Sequence, residues 1–202
     1  MAQARDYWNH NVHYQPVILG AVPPGCRAAI DVGCGDGMLA CELAARCESV
    51  TGIDRDPRMI ELARERGQAG AVGNLAFVQG DFLAYPFAAG SFDFACANTA
   101  LHHMGTATAL RQLARVLRPG GRLAVVGLAS NGSPADWVVG GAGLPASWYY
   151  KITRGEGHPG APILAPDMTW AQARATARQV LPGVRYRRHL LWRYSLVWDK
   201  PA

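Results

Sequence analysis

The stretch Ala28-Ala29-Ile30-Asp31-Val32-Gly33-Cys34-Gly35-Asp36-Gly37-Met38-Leu39 decides how the chain is read. It reads as a buried strand, a glycine-only turn and the first turn of a helix. Ile30 and Val32 are β-branched, which suits a strand interior. Gly33, Gly35 and Gly37, at alternate positions, let the backbone bend sharply and come into contact with a ligand. Met38-Leu39-Ala40-Cys41-Glu42-Leu43-Ala44 then supplies strong helix formers, with Leu39 and Leu43 one turn apart. The unpaired N–H groups at such a helix start form a polar cradle for an acceptor-rich ligand. Taken alone, the stretch also fits a tight strand-to-helix turn that holds nothing.

Spacing narrows the ligand. A dinucleotide turn asks for G-x-G-x-x-G, its third glycine packing helix on strand. Here Met38 occupies that third position, and an acid, Asp31, stands two residues before the first glycine. Working outward, Ser49-Val50-Thr51-Gly52-Ile53-Asp54 is a short strand ending in an acid about twenty residues beyond the glycines, where a carboxylate can accept ribose hydroxyls. Asp56 and Pro57 then read as N-cap and first residue of a helix that Gly67 and Gly70 close. Leu75 to Phe82 reads as a third strand whose last residues, Asp81 and Phe82, are again an acid and an aromatic. Ser91 to Asn98 is an apolar run suited to a strand covered on both faces, followed by Thr99-Ala100-Leu101-His102-His103-Met104. Leu110 to Leu117 has helical apolar spacing. Arg118-Pro119-Gly120-Gly121 stops it, and Arg122 to Leu128 gives a fifth strand.

The passages DVGCGDG, GIDRDP, QGDF, SFDFACANTALHH and LRPGGRL stand in unbroken order from Ala28 to Leu128. Together they resemble the class I S-adenosylmethionine-dependent methyltransferases, in particular their ubiquinone/menaquinone-like small-molecule group. The resemblance implies an α/β fold: a Rossmann-like, doubly wound, mostly parallel seven-stranded sheet with an antiparallel last strand and helices on both faces. It implies S-adenosylmethionine as cofactor, held by Asp31, Gly33, Cys34, Gly35, Asp54, Arg55, Asp81, Phe82 and Asn98. In that family the acid and aromatic after the third strand hold adenine. His102 and His103, on a turn at the crevice, become the candidate catalytic residues, and the sequence does not choose between them. The reaction would be in-line displacement of a methyl group from a sulfonium, with positioning worth about 7–11 kcal/mol. For a hydroxyl nucleophile a general base adds roughly two to four orders of magnitude. The acceptor atom, O, N or C, stays open. An enzyme of the same fold that binds the cofactor but catalyses a rearrangement or cyclisation would share every one of these residues.

The remaining segments fit one domain over residues 1–202, which suits a chain of this length. Residues 1–22 form an N-terminal segment with Tyr7, Trp8 and Tyr14, read either as a short helix on the sheet edge or as a lid over the cofactor. Residues 129–167 lose all pattern and are rich in Gly, Pro and aromatics. In the family the equivalent insert carries substrate contacts; a structureless connection of this length is uncommon unless functional or mobile, and a disordered surface loop is the alternative. Tyr7, Tyr14 and Trp148 are expected to face inward, where aromatic faces can stabilise a sulfonium. Thr169-Trp170-Ala171-Gln172 is a capping box opening a helix to Leu181. Val184–Leu190 and Trp192–Trp198 read as the last two strands.

Composition excludes several classes. The net charge is +5, but the late arginines (Arg174, Arg178, Arg185, Arg187, Arg188, Arg193) alternate with apolar residues as on solvated faces rather than forming a nucleic-acid patch. Asn98 is not followed by the Pro-Pro-Tyr of amino-group nucleic-acid methyltransferases, and no extra acidic set suggests a magnesium site. Cys26, Cys34, Cys41, Cys47 and Cys96 are odd in number and lack a C-x-x-C pair, so neither a disulfide framework nor zinc is expected. No apolar run approaches membrane-spanning length. The expectation is a cytoplasmic enzyme acting on a small, partly apolar molecule, without nucleic acid or membrane; the oligomeric state is left open.

Overall fold

The computed structural model describes residues 7–154, 157, 160 and 164–202. Two short helices, α1 (His10–His13) and α2 (Gln15–Leu19), precede β1 (Ala28–Val32), α3 (Met38–Ala44) and β2 (Ser49–Asp54). Next come α4 (Pro57–Ala69), β3 (Leu75–Gln79) and β4 (Phe92–Asn98), then a single 3-10 turn over Leu101–His103. The chain continues through α5 (Thr106–Val116), β5 (Leu117–Leu128), α6 (Pro134–Arg154) and α7 (Trp170–Val180), and closes with β6 (Arg185–Arg188) and β7 (Arg193–Asp199). One seven-stranded sheet runs β3-β2-β1-β4-β5-β7-β6. Only β7 opposes its neighbours. This is the expected fold.

Side-chain alternation sorts the core into two layers. Ile30 and Val32 of β1, Ala95 and Ala97 of β4, and Leu123 and Val125 of β5 pack with α5 and α7 through Leu110, Leu113, Ala173 and Ala177. Ala29, Phe94, Cys96, Ala124 and Val126 point the other way, onto α2 and α3 through Ile18, Leu39 and Leu43. A period of two along each strand dictates this division. Each buried leucine contributes roughly 1.5–3 kcal/mol to holding helix on sheet. The sheet order reverses between β1 and β4, which leaves a crevice beyond their carboxyl ends.

Several boundaries differ from expectation, each for a local reason. β3 ends at Gln79, and Asp81 and Phe82 lie in the following turn, where Oδ1 of Asp81 accepts from the Leu83 amide at 2.9 Å. β5 begins at Leu117 rather than Arg122: Leu117 pairs with Phe92, then the register shifts and Arg122 pairs with Phe94. Lys200 caps the carboxyl end of α5, donating from Nζ to the carbonyls of Ala114 and Leu117 at 2.8 and 2.7 Å.

The largest difference is α6, a helix where an unpatterned connection was expected. Asp136 stabilises its start by accepting from the amides of Gly132 and Ser133 and from Arg188. Two of its glycines serve packing: a Cβ on Gly140 would stand 3.1 Å from Trp192 and one on Gly143 3.4 Å from the Leu191 backbone. Residues 155, 156, 158, 159 and 161–163 of the expected insert, and 1–6 of the N-terminal segment, lie outside the described residues. Among the described residues no helix is long and apolar enough to cross a membrane.

The segment just beyond β4 approaches the glycine turn closely enough to forbid a side chain. Gly33 has φ +71°, and a Cβ there would meet that of Ala100 at 2.3 Å. Gly33→Ala should therefore cost about 2–4 kcal/mol, combining left-handed backbone strain with overpacking. Gly25→Ala, at φ +68° with open space around it, should cost only about 1 kcal/mol. Thermal unfolding of the two variants measures the difference; equal losses would mean that the contact with Ala100 is unimportant.

Candidate functional site

The glycine turn after β1 is held by the end of β2. The amides of Gly33 and Cys34 both donate to the Ile53 carbonyl, at 2.8 and 3.1 Å. The Gly35 amide donates to Oδ2 of Asp54 at 2.9 Å, while Oδ1 accepts from the Asp56 amide at 3.0 Å. One carboxylate thus ties the turn after β1 to the start of α4. Gly35 has φ +53°, and a Cβ placed there would meet nothing within 4 Å. The space beside it belongs to a cavity of about 610 Å³ beyond the carboxyl ends of the strands.

Every candidate residue read from the sequence lines that one cavity. Asp31, Gly33, Cys34, Gly35, Asp54 and Arg55 come from the ends of β1 and β2. Asp81 and Phe82 come from the turn after β3, and Asn98, His102 and His103 from β4 and the turn beyond it. Their surroundings differ. Asp31 is fully enclosed: burial pushes its carboxyl up to about 7, a hydrogen bond from the Cys96 thiol works against this, and the Asp54 carboxylate adds to it. Its Oδ2 has no partner among the described residues. The Cys34 thiol is pushed well up by burial and by the neighbouring carboxylates, so it remains a neutral packing group rather than a nucleophile. Asn98 donates from Nδ2 to the Asn11 carbonyl at 3.1 Å, which turns it toward the N-terminal segment.

The two histidines stand with ring centres 4.2 Å apart but in different electrostatic settings. Burial pulls His102 down to about 4, assisted by His103 and Arg193 and opposed by Asp167 and a hydrogen bond to the Leu164 backbone. Burial also lowers His103, but its charged neighbours are Arg55 and Asp54. His102 thus sits in the field of Asp167 and Arg193, and His103 in that of Arg55 and Asp54. Both imidazoles are neutral at pH 7.

The N-terminal segment forms the cavity's other wall. Tyr7, Asn9, His10, Asn11, Val12 and Gln15 all line it. The Tyr7 hydroxyl donates to Oδ1 of Asp36 at 3.3 Å, and Arg66 pairs with the other oxygen of Asp36 at 2.8 Å. Asp36, Arg66 and Asn11 carried no signal in the sequence, and Arg193, expected on a solvated face, is buried instead; their partners lie 29 to 182 residues away, beyond any local pattern. The aromatic expectations divide. Tyr7 faces the cavity. Tyr14 is buried elsewhere, its hydroxyl on the Leu190 carbonyl at 2.7 Å. Trp148 is 70% exposed and does not face inward. Helix α6 instead braces the segment from behind, with Tyr150 stacked on Trp8 and Ser147 bonded to His10.

Comparison with known proteins agrees with this geometry. A family model described as a methyltransferase domain matches residues 30–125. An uncharacterised methyltransferase of Mycobacterium tuberculosis is 34% identical over 203 residues, covering 96% of this chain and 98% of its own length. The 27-O-demethylrifamycin SV methyltransferase of Amycolatopsis mediterranei is 40% identical over 99 residues, 48% of this chain and 36% of its own. Among solved structures, the cyclase SpnF superposes with a TM-score of 0.69 at 17% identity, over 98% of this chain and 85% of its own. At that identity the likeness concerns the fold alone.

Asp31→Asn isolates the enclosed carboxyl. In the folded protein Asp31 keeps its proton up to about pH 7, whereas in the unfolded chain it ionises from about pH 4. A stability penalty therefore accumulates between those values and persists above them. The asparagine variant should gain on the wild type as pH rises from 5 to 8, by roughly 1–3 kcal/mol at the upper end. Thermal unfolding without ligand measures this, and a variant equally destabilised at both pH values would contradict it.

Proposed function

The chain belongs to the class I S-adenosylmethionine-dependent methyltransferases, and from that premise we propose that it methylates a hydroxyl oxygen of a small, partly apolar molecule. Its cofactor is S-adenosylmethionine. The residues present suit that group. The open space at Gly35 admits a ligand against the backbone. The unpartnered Oδ2 of Asp31 offers an acceptor for the ammonium of the methionine moiety. Asp54 would take the ribose hydroxyls with the acceptor capacity its two backbone bonds leave free. Asp81 would accept from the adenine amine and Phe82 would line the ring. When bound, the cofactor supplies an electrophilic methyl group.

The observation that carries the hydroxyl reading is the placing of His102. It is a neutral imidazole on the cavity wall, in the field of Asp167 and Arg193 rather than that of Asp54. A neutral imidazole there can take the proton of a hydroxyl as that oxygen attacks. His103, beside Arg55 and Asp54, belongs to the cofactor side. Met104, Leu128 and Leu164 give the remaining wall its apolar character. Relatives named as O-methyltransferases, each matching about half of this chain, support the same choice. The described part of the N-terminal segment, residues 7–22, acts as a cap on a single domain, and the cavity volume suits a small molecule better than a nucleic acid.

A screen with methyl-labelled S-adenosylmethionine against small hydroxylated, aminated and carbon-acid acceptors tests the reading, with label expected on oxygen. His102→Gln should lower turnover by roughly two to four orders of magnitude and leave cofactor affinity within about twofold. With S-adenosylmethionine saturating, so that Asp31 is already engaged, the pH profile of kcat/KM for the acceptor should stay flat down through pH 6, because the imidazole holds off its proton until the pH nears about 4. An acid limb centred at 6.5 or above, or normal turnover in the variant, would remove His102 from the mechanism.

A further inference from the structure

Arg193 lies on the opposite side of the cavity from the carboxylates. Asp31, Asp54 and Asp81 come from the ends of β1, β2 and β3, on one side of β4. Arg193 starts β7 on the other side, paired in register with Leu128 at the carboxyl end of β5, and both residues line the cavity. Arg193 is only 8% exposed. Nη1 donates to the Leu191 carbonyl at 3.0 Å and Nη2 to Oδ1 of Asn11 at 2.7 Å, while Nε has no partner among the described residues. No carboxylate among the described residues pairs with it. A buried guanidinium without a counter-ion is costly, and its planar fork matches a carboxylate.

We infer that Arg193 receives a carboxylate of the methyl acceptor, so that the substrate is a small, partly apolar hydroxy acid. This rests on the methyltransferase reading of the same cavity and narrows its substrate class. Binding would also act on the base. The guanidinium helps hold the proton off His102; an anion seated on it offsets that field and makes the imidazole more basic when substrate is present.

Two other duties for Arg193 can be separated from this one. It could hold the N-terminal segment through Asn11, or it could receive the carboxylate of the cofactor's methionine moiety. Calorimetry with S-adenosylhomocysteine, then with 2-, 3- and 4-hydroxybenzoate and their carboxamides on the saturated complex, distinguishes them. At least one acid should bind about tenfold or more tighter than its amide, and Arg193→Met should reduce that preference to about twofold or less. Asn11→Ala, which cuts the strut and keeps the cation, should retain the preference. The inference is overturned if no acid outbinds its amide, or if the preference survives in Arg193→Met or disappears in Asn11→Ala. It is equally overturned if Arg193→Met instead weakens S-adenosylhomocysteine about tenfold, which would assign the arginine to the cofactor. Failure of S-adenosylhomocysteine to bind the wild type would overturn the methyltransferase site itself, and this inference with it.

Discussion

The carboxylate of Asp54 bridges two backbone amides, that of Gly35 in the turn after β1 and that of Asp56 at the start of α4. The rest of the site depends on this bridge. It fixes a turn in which Gly33, Gly35 and Gly37 all take positive φ, and Gly33 of that turn lies against Ala100, just beyond β4. It also puts a negative charge near the enclosed Asp31, one reason that carboxyl holds its proton to about pH 7. Such an arrangement is poorly satisfied by itself. A ligand that brings a positive charge and hydroxyl donors relieves it, which is the electrostatic logic of a sulfonium cofactor.

The second half of the site is built across long sequence distances. Asn11 stands between Asn98 of β4, which donates to its carbonyl, and Arg193 of β7, which donates to its side chain. Tyr7 reaches the glycine turn through Asp36, and burial beside that carboxylate pushes its phenol up, keeping it a donor. The N-terminal segment is thus fastened at both ends of the crevice, with α6 packed behind it. A wall held by side-chain bonds rather than by sheet hydrogen bonds opens at lower cost than the core.

What was legible in the sequence follows this division. The glycine turn, the acids ending β2 and following β3, and the strand alternation are local patterns, and each lies where its spacing put it. The capping box at Thr169 forms as read, with both reciprocal bonds present. The insert misled because Gly140 and Gly143, which look like helix breakers, instead let α6 approach Leu191 and Trp192. Trp148 misled because an aromatic in a polar stretch suggests a pocket, yet its helix turns it to solvent. Arg193 carried no signal beyond its place in an alternating strand; its meaning comes from a fold that buries it without a carboxylate.

The central claim is that the cavity against Gly35, Asp31 and Asp54 is an S-adenosylmethionine site and not a dinucleotide site. Titration calorimetry of the purified protein with S-adenosylmethionine, S-adenosylhomocysteine and NAD tests it directly. The account predicts saturable binding of both S-adenosyl compounds at one site per chain and no heat of binding with NAD. Saturable binding of NAD, or no binding of either S-adenosyl compound by a folded sample, would contradict it.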